Sequence, residues 1–287
     1  MRDDAGRWQD WIGRTQDAED QIDLLRARAM QAVLDRDEGL GVGDALPPLW
    51  HWAYFWHIAL QSDLGYDGHA ALGDFLPPLD LPRRMWAGSR IRFQRPLPIG
   101  AATARRSTIA AIDEKQGKTG PLAFVTVRHE ITVGGTAIDE EHDIVYRAAP
   151  GPDEKPAPPK RAPADASWRR EIRPDPVLLF RYSALTFNGH RIHYDRDFAA
   201  SEGYAGLIVH GPLLATLMVD LVRRERPEAR ITEFAFRMLA PVIDTALFTV
   251  AGTPDEEGNS VSVWIAGPAG ELAAQGTVTL AADSGPA

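Results

Sequence analysis

Two short segments of the sequence bring together residue types that acid–base chemistry uses. The first, YSALTFNGHRIHYD, contains Asn188, His190 and His193, and the second, GLIVHGPLL, contains His210 and Gly211. A histidine can accept or donate a proton near neutral pH. A glycine at the start of a helix lets a ligand come close to the backbone N–H. The two segments therefore contain the residues of this chain that are candidates for acid–base chemistry.

Each of these residues also has a structural interpretation. His193 alone is typical of a buried histidine with one hydrogen bond, and Asn188 with Gly189 is typical of a turn that needs positive φ. Gly211 can simply begin a helix. The three histidines could bind a metal ion, but no carboxylate pairing supports such a site, so no metal and no cofactor are expected.

The sequence around these residues predicts the elements that must position them. The segment GLIVHGPLLATLMVDLVRRERP is typical of an apolar helix whose basic C-terminal end suits the helix dipole. Alternating runs with β-branched and aromatic residues predict strands after it. These runs are ITEFAFRML, ALFTVAG with SVSVWIAG, and LAAQGTVTLAA.

The first part of the chain can be read in a similar order. A polar helix, RTQDAEDQIDLLRARAMQAVLD, is predicted before the aromatic segment LWHWAYFWHIAL, which we interpret as core. A Pro-rich loop, DFLPPLDLPRRMWAG, leads to predicted strands in SRIRFQR, ATARRSTIAAI, LAFVTVRHEITV and TAIDEEHDIVYR. Helix followed by antiparallel strands, given twice, indicates an α+β architecture.

A Pro-rich, charged segment, AAPGPDEKPAPPKRAPADA, divides these two parts and is typical of a semi-extended linker. We predict an N-terminal unit over residues 1–148, a linker over 149–166 and a C-terminal unit over 167–287. The histidine segments lie in the C-terminal unit, which is therefore expected to carry the chemistry.

Composition narrows the partners that the chain can have. The 287 residues include no cysteine, carry a formal net charge of −9 and have a pI of about 5.4. Nucleic-acid binding normally needs a basic face, so none is expected. No run approaches the length of a membrane helix, and the start, MRDDAGRWQDWIGR, lacks an apolar signal core. We therefore expect no membrane association and a cytoplasmic location.

The quoted segments resemble a known family. Tyr182, Asn188, His193 and Gly211 stand at the offsets of the MaoC-like R-specific enoyl-CoA hydratase motif. The segment GDFLPPLDLPRRMWAGSRIRFQRPLPIG is similar to the N-terminal half of the FAS1-like dehydratase group. That group includes type 2 hydroxyacyl-thioester dehydratases and hydratases of mesaconyl-C4-CoA and itaconyl-CoA. The resemblance implies a double hot-dog fold, with two antiparallel sheets each wrapped on a central helix and a CoA cleft in the first half.

The resemblance also implies the chemistry, which is the reversible hydration of a short enoyl-CoA. By position, His193 is the acid–base residue and the Gly211 backbone N–H stabilises the thioester oxyanion. The carboxylate of the motif falls on Asn188, and an amide cannot act as a base. Either His193 moves the proton alone while Asn188 aligns the water, or another carboxylate substitutes, with Asp195 nearest in sequence.

Arginines are the candidates for substrate binding. The cluster that includes Arg83 and Arg84 is interpreted either as a solvated strand edge or as a site for CoA phosphates or a substrate carboxylate. For a carboxylate we expect Arg84 first, Arg83 second and Arg191 third. Tyr182 and His190 complete the predicted substrate site, and the role of His190 stays open. The other two arginines of the cluster are Arg90 and Arg92.

Two other functions stay open at this point. A hot-dog thioesterase would place a carboxylate near the central helix, where the segment after Gly211 offers none before Asp220. A non-catalytic acyl-thioester-binding subunit is consistent with the missing carboxylate at Asn188. In each case the partner is an acyl-CoA, and the chain is compatible with a homodimer.

Overall fold

The computed structural model describes residues 8–81, 83–117, 120–148 and 158–282, and these ranges form one antiparallel sheet of ten strands with four α-helices. In chain order the elements are β1 (Thr15–Gln21), α1 (Leu24–Val33), β2 (Arg83–Phe93), β3 (Ala102–Gly117), β4 (Gly120–Thr132), β5 (Thr136–Arg147), β6 (Trp168–Ile172), α2 (Pro176–Leu185), α3 (Arg196–Ser201), α4 (Gly211–Glu225), β7 (Ile231–Met238), β8 (Phe248–Pro254), β9 (Ser260–Ala266) and β10 (Leu272–Leu280).

The strands form two sets of five with the same internal order. The first set runs β1-β3-β4-β5-β2 and the second runs β6-β8-β9-β10-β7, so each strand of one set has a counterpart in the other. The sets join where β2 pairs with β7. Gly88 is needed at this junction, because a Cβ there would lie 2.2 Å from the carbonyl oxygen of Phe236. Because β2 and β7 are paired, residues of both halves of the chain lie side by side on the same face of the sheet.

The two outermost strands were not predicted. The segment TQDAEDQ was expected to be helical, but it forms β1 and pairs with β3, and the helix begins only at Leu24. The strand β6 pairs with β8 at the other edge. TQDAEDQ carries no apolar stripe because an edge strand faces water along much of its length, so its partner strand decides its conformation.

The long helix of the second half is almost completely enclosed. Residues 213–222 of α4 are all buried, and the helix packs against β8, β9, β10 and β6. An apolar surface on all sides is what a central helix requires. The apolar helix segment was predicted from residue 206 onward, with Gly211 interpreted as a helix-start glycine. Residues 206–210 are not helical, and α4 begins at Gly211.

The core of the first half is formed differently from that of the second half. Between α1 and β2 its described residues contain only two short 3-10 turns, Trp50–Ala53 and Gln61–Asp63. The aromatic segment supplies the core instead, as predicted, since Trp50, Tyr54 and Phe55 are buried.

A buried carboxylate ties the two halves together at the C-terminal end of α4. Asp220 is 1% exposed and accepts hydrogen bonds from Arg36 of the first half and from Arg170 and Arg224 of the second. Three guanidinium partners compensate the cost of burying this charge. The C-terminal end of α4 is therefore fixed by ion pairs, and its N-terminal end lies next to the histidine segment.

The predicted division into units stays a prediction. Residues 149–157 of the predicted linker lie outside the described residues. The described part that follows is mostly exposed and is joined to the second half by a bridge between Arg161 and Glu271. Among the described residues, no helix is both long and apolar enough to cross a membrane.

Candidate active site

The histidine segment follows α2 directly. Asp175 caps this helix by accepting from the backbone N–H of Leu178, and Pro176 occupies its first turn. After the helix, the side-chain oxygen of Asn188 accepts a hydrogen bond of 2.9 Å from the backbone N–H of His190. This is an Asx turn, so Asn188 has a structural role in a turn as expected, but the residue with positive φ is Phe187 (φ 50°) and not Asn188 or Gly189. A 3-10 turn over Arg191–His193 then brings His193 inward.

His193 is 6% exposed, and its protonation state follows from its contacts. Nδ1 lies 2.7 Å from the carbonyl oxygen of Ile208, which can only accept, so the ring proton is on Nδ1. The lone pair of Nε2 is then available to accept a proton. Burial lowers the pKa of His193 to about 4, so the ring is neutral at neutral pH. His193 therefore has the state that a general base needs.

The ring of His210 stacks on the ring of His193. The two rings are stacked with centroids 3.7 Å apart and an interplanar angle of 20°. The Nε2 atom of His210 lies 2.8 Å from the hydroxyl of Ser183, and burial lowers the pKa of His210 well below its usual value. A second positive charge at this stack is thus disfavoured, and the neutral pair fixes the plane of the His193 ring.

Helix α4 begins next to this stack. Gly211 is its first residue, Pro212 follows, and no side chain caps the helix at His210. The first N–H groups of a helix have no partner within it, and the helix dipole favours negative charge there. A Cβ at Gly211 would meet only ordinary contacts, 3.6 Å to Trp86 and 3.7 Å to Met238. Packing therefore does not require the glycine, and the position that a Cβ would take lies against Trp86 of β2 and Met238 of β7.

A loop of the first half completes the site. Gly68 has φ +86° and packs so closely on the histidine segment that a Cβ would lie 2.0 Å from the Gly189 oxygen. In this loop, Nδ1 of His69 lies 2.8 Å from a carboxylate oxygen of Asp67, and the His69 ring centroid is 4.1 Å from that of His190. Donor atoms of these three side chains lie within 4.8 Å of one another, so they are the residues that could hold a metal ion.

The predicted arginines lie in different environments. Arg90 is paired with Glu141 and Asp143, and Arg92 with Glu233, all at an exposed sheet surface. These two arginines fit the interpretation as a solvated strand edge. Neither contacts the histidine segment.

Arg83 and Arg84 lie in a small cleft beside the histidines. Arg83 donates to the backbone oxygen of Glu202. Arg84 is half-buried and makes no ion pair within the described ranges, and its charge acts on the hydroxyl of Tyr146 and on His190. The cleft is lined by Tyr66, Asp67, Arg83, Arg84, His190 and Phe198.

Three further residues singled out from the sequence, Arg191, Asp195 and Tyr182, make structural contacts. The guanidinium of Arg191 donates to Asp195 and to the backbone oxygen of Tyr66, so it anchors the first-half loop. Asp195 is thereby paired, and its other oxygen caps α3 by accepting from Phe198 N. Tyr182 is fully buried, with its ring 5.1 Å from that of His210.

Sequence reasoning did not identify Trp86, Met238, Asp67 or His69 as site residues. Trp86 and Met238 reach Gly211 only through the pairing of β2 with β7. Asp67 and His69 lie more than a hundred residues before the histidine segment. The only local signal was the short Asp-Gly-His turn, which predicts a loop but does not predict which part of the protein the loop contacts.

Comparison with known proteins identifies the family. The profile of the hydroxyacyl-thioester dehydratase type 2 family matches residues 49–244, which include the loop, the cleft and the histidine segment. The chain belongs to this family. It is also 47% identical over 276 residues to the mesaconyl-C4-CoA hydratase of Chloroflexus aurantiacus, covering 95% of this chain and 98% of that protein. The predicted family and the predicted hydro-lyase class are confirmed.

Solved structures confirm the fold. A MaoC-like dehydratase from Phytophthora capsici superimposes with a TM-score of 0.73 at 14% identity, covering 96% of each chain. A Mycobacterium tuberculosis protein with a double hot-dog fold superimposes with a TM-score of 0.57 at 14% identity, covering 94% of this chain and 96% of that one. The α+β double hot-dog predicted for this dehydratase is therefore correct.

Proposed function

We propose that this dehydratase-family enzyme reversibly hydrates a short, branched enoyl-CoA that bears a second carboxylate, with mesaconyl-C4-CoA as the first candidate. The observation that carries the proposal is the neutral His193, whose Nε2 is available beside the start of α4. The relative that is 47% identical is named for hydration of mesaconyl-C4-CoA, which supports the choice of substrate.

His193 and Gly211 have complementary roles in this reaction. His193 takes a proton from water through Nε2 while the water oxygen bonds to the β-carbon. The thioester oxygen gains negative charge, which the Gly211 N–H and the helix dipole stabilise. The proton held on Nε2 of His193 is then delivered to the α-carbon, which completes the addition and restores the neutral imidazole, and dehydration follows the same steps in reverse.

Asn188 has a smaller role. Its carbonyl oxygen is occupied by the N–H of His190, so its NH₂ group is the part available to hold the attacking water. It aligns water and moves no proton. Tyr182 and His190 are proposed to shape the substrate site, Tyr182 from within the core and His190 at the cleft.

Arg84 is the proposed partner of the second carboxylate. Residues two apart on a strand point to the same face, so Arg84 shares its face of β2 with Trp86, which lies against Gly211. A guanidinium in a half-buried cleft binds a carboxylate with both energy and direction. Arg83 is second because it is already bonded to Glu202, and Arg191 is third because Asp195 holds it.

Hydrolysis is disfavoured by the position of Asp220. It is the first carboxylate of α4, but three arginines surround it at the end of the helix opposite to Gly211. It cannot serve as a base near the thioester. The CoA cleft in the first half, the homodimer and the cytoplasmic location stay predictions from the sequence.

The test compares mesaconyl-C4-CoA with crotonyl-CoA for the wild type, Arg84→Met, Arg83→Met and, as an exposed control, Arg90→Met. Loss of enoyl absorbance reports hydration, and release of free thiol reports hydrolysis. We expect kcat/KM for mesaconyl-C4-CoA to fall about 10- to 100-fold in Arg84→Met, since a hydrogen bond to a charged group contributes about 1.5–3 kcal/mol.

The same comparison can reject the proposal. Crotonyl-CoA should respond much less to Arg84→Met, and Arg90→Met should resemble the wild type. A wild type that prefers crotonyl-CoA would reject the carboxylate, and release of free thiol without loss of the enoyl group would reject hydration altogether.

A further inference from the structure

The indole of Trp86 lies beside the start of α4. Its Cε3 atom is 3.6 Å from the position that a Cβ on Gly211 would take, and Met238 lies at a similar distance of 3.7 Å. Gly211 is the residue whose N–H is proposed to bind the thioester oxygen. The acyl group of a bound substrate must therefore extend from a point close to the Trp86 ring.

A β-bulge gives the side chain of Trp86 this direction. In the pairing of β2 with β5, the register shifts between Trp86 and Gly88, so that Ala87 is an extra residue on β2. Successive strand residues point to alternate faces, and one extra residue therefore puts Trp86 and Ser89 on the same face. The contact between them agrees with this, since Nε1 of Trp86 donates a hydrogen bond of 3.2 Å to the Ser89 hydroxyl.

Contacts on several sides hold the ring of Trp86 in one orientation. The hydroxyl that accepts from its Nε1 belongs to Ser89, which is itself buried. Three aromatic side chains pack edge-to-face against the indole, and they are Trp52, His142 and Phe236 at centroid distances of 4.9, 4.3 and 5.3 Å. Because protein interiors are closely packed, the indole cannot turn aside for a larger ligand without losing these contacts.

Part of the Trp86 ring nevertheless stays open. The side chain is only half-buried, so some of its flat apolar surface is left for a ligand beside α4. Met238, on the neighbouring strand β7, is also half-buried. An unbranched methionine side chain adapts its shape to what it contacts, whereas a fixed indole does not. A limit on the size of the acyl group at this point therefore depends on Trp86.

We propose that Trp86 is the specificity-determining residue that limits the length of the acyl chain. This inference rests on the proposed function. The indole occupies the space that a straight chain would need beyond its first carbon after the β-carbon. Crotonyl and mesaconyl groups therefore fit the site, whereas hexenoyl and longer groups do not.

Removal of the indole would open a space that suits a longer chain. Two of the side chains that would line this space, Trp52 and Phe236, are aromatic, and their ring centroids are 6.3 Å apart. Phe236 is in turn stacked on Phe234 at 4.9 Å, so the space has a second layer of apolar side chains behind it. Methylene groups of a longer acyl chain would be buried favourably against these rings.

The test measures kcat/KM for crotonyl-CoA and hexenoyl-CoA in the wild type, Trp86→Ala and Trp168→Ala. Trp168 is the matched control, because it is also half-buried and has its Cε3 atom 3.5 Å from the Cβ position of a glycine, Gly252, but lies on the edge strand β6. One methylene in an apolar pocket changes kcat/KM by about 10- to 200-fold, so we expect Trp86→Ala to raise the hexenoyl-to-crotonyl ratio about tenfold or more. Trp168→Ala should keep the wild-type ratio. If the wild type hydrates only mesaconyl-C4-CoA, the ratio is taken to that thioester instead.

Several results would overturn this inference. A folded Trp86→Ala enzyme with the wild-type ratio rejects it, since a purely structural role would lower the activity on both thioesters alike. A wild type that already hydrates hexenoyl-CoA as well as crotonyl-CoA rejects it too, as does an equal rise of the ratio in Trp168→Ala. Should Trp86→Ala fail to fold, Trp86→Phe decides, because the smaller ring should change the ratio in the same direction. A wild type inactive on all three thioesters rejects the proposed function, whereas an active one whose ratio is insensitive to Trp86→Ala rejects only this inference.

Discussion

Each half of the chain buries a group of histidines, and the two groups differ in what their nitrogens contact. In the first half, Glu140 is 2% exposed and lies within 3.0 Å of His51 Nε2 and 3.2 Å of His142 Nε2. Trp52 and Ser89 donate to the same carboxylate. A buried charge surrounded by donors is a structural feature, because its removal leaves those donors without a partner.

Within the described part of the chain, His193 and His210 of the second half have no carboxylate as a hydrogen-bond partner. His193 donates to a backbone carbonyl and His210 lies against the hydroxyl of Ser183, so neither carries a balancing charge. The Nε2 atom of His193 is left to react. The comparison teaches that a buried histidine is committed to the fold when a buried carboxylate depends on it as a donor. It is available for chemistry when its partner is a neutral acceptor that can be satisfied while the other nitrogen reacts.

The largest expected effect on stability is at Glu140. Glu140→Ala should lower the free energy of unfolding by about 3–5 kcal/mol, the usual cost of removing one partner of a buried charged group. Chemical denaturation of the variant measures this loss. Glu140→Gln keeps the shape and one acceptor and should lose less.

The activity of the folded Glu140→Ala protein tests whether the first-half histidines have only a structural role. This variant should retain most of the wild-type activity per folded molecule, because Glu140 lies outside the histidine segment. A Glu140→Ala protein that is as stable as the wild type but inactive would show that the first-half cluster, too, takes part in the chemistry.

Acid should affect the second-half histidines in two ways. The pKa of His193 is lowered from its ordinary 6.5 to about 4, so kcat/KM should fall as pH drops through about 4, where the base becomes protonated. The unfolded chain binds protons at higher pH than the folded one, so the stability that neutral His193 contributes is fully present above about pH 6.5 and is lost as pH falls toward 4.

The measurements are kcat/KM and the unfolding free energy between pH 4 and pH 8. His193→Gln should make the stability profile less steep over that range, because it removes one of several buried or half-buried histidines whose pKa is lowered. A loss of wild-type activity already near pH 6.5 would mean that the reacting histidine is not the buried one.

The smallest expected effect is at Asn188. Asn188→Ala removes the hydrogen bond of the Asx turn, which contributes to stability, and one contact to water, which contributes about 1 kcal/mol to the reaction, so kcat should fall about fivefold. Steady-state kinetics on mesaconyl-C4-CoA measure it. If Asn188→Ala proved far more damaging than His193→Ala, the roles of the two residues would be reversed.

The sequence predicted the interior of the fold well and its edges poorly. Strands β2–β5 and β7–β10 alternate apolar and polar residues because one face of each is buried, so their pattern is visible locally. The edge strands β1 and β6 carry mostly polar residues, and only pairing with β3 and β8 makes them strands. Pairing is a tertiary property that local patterns do not encode.

The site shows the same limit. His193, Asn188 and Gly211 could be predicted because the family motif places them within a short stretch of the chain. Asp67 and His69 were missed because the contact between Gly68 and Gly189 that brings them to the site spans more than a hundred residues. The start of α4 at Gly211 agrees with the helix-start interpretation of that glycine, whereas the apolar run GLIVH before it was wrongly included in the helix. GLIVH is not helical, and its Ile208 oxygen accepts a hydrogen bond from His193.

The measurement that tests the comparison most directly is a side-by-side determination of kcat and Tm for His193→Ala and His51→Ala. His193→Ala should lower kcat by about two to four orders of magnitude while its Tm changes less than that of His51→Ala. His51→Ala should lower Tm, because it removes a donor to buried Glu140 at a cost of about 1–3 kcal/mol, and should keep kcat within a small factor of the wild type. If His193→Ala kept the wild-type kcat, or if His51→Ala lost as much activity as His193→Ala without a change in Tm, the assignment of chemistry to one cluster and stability to the other would be wrong.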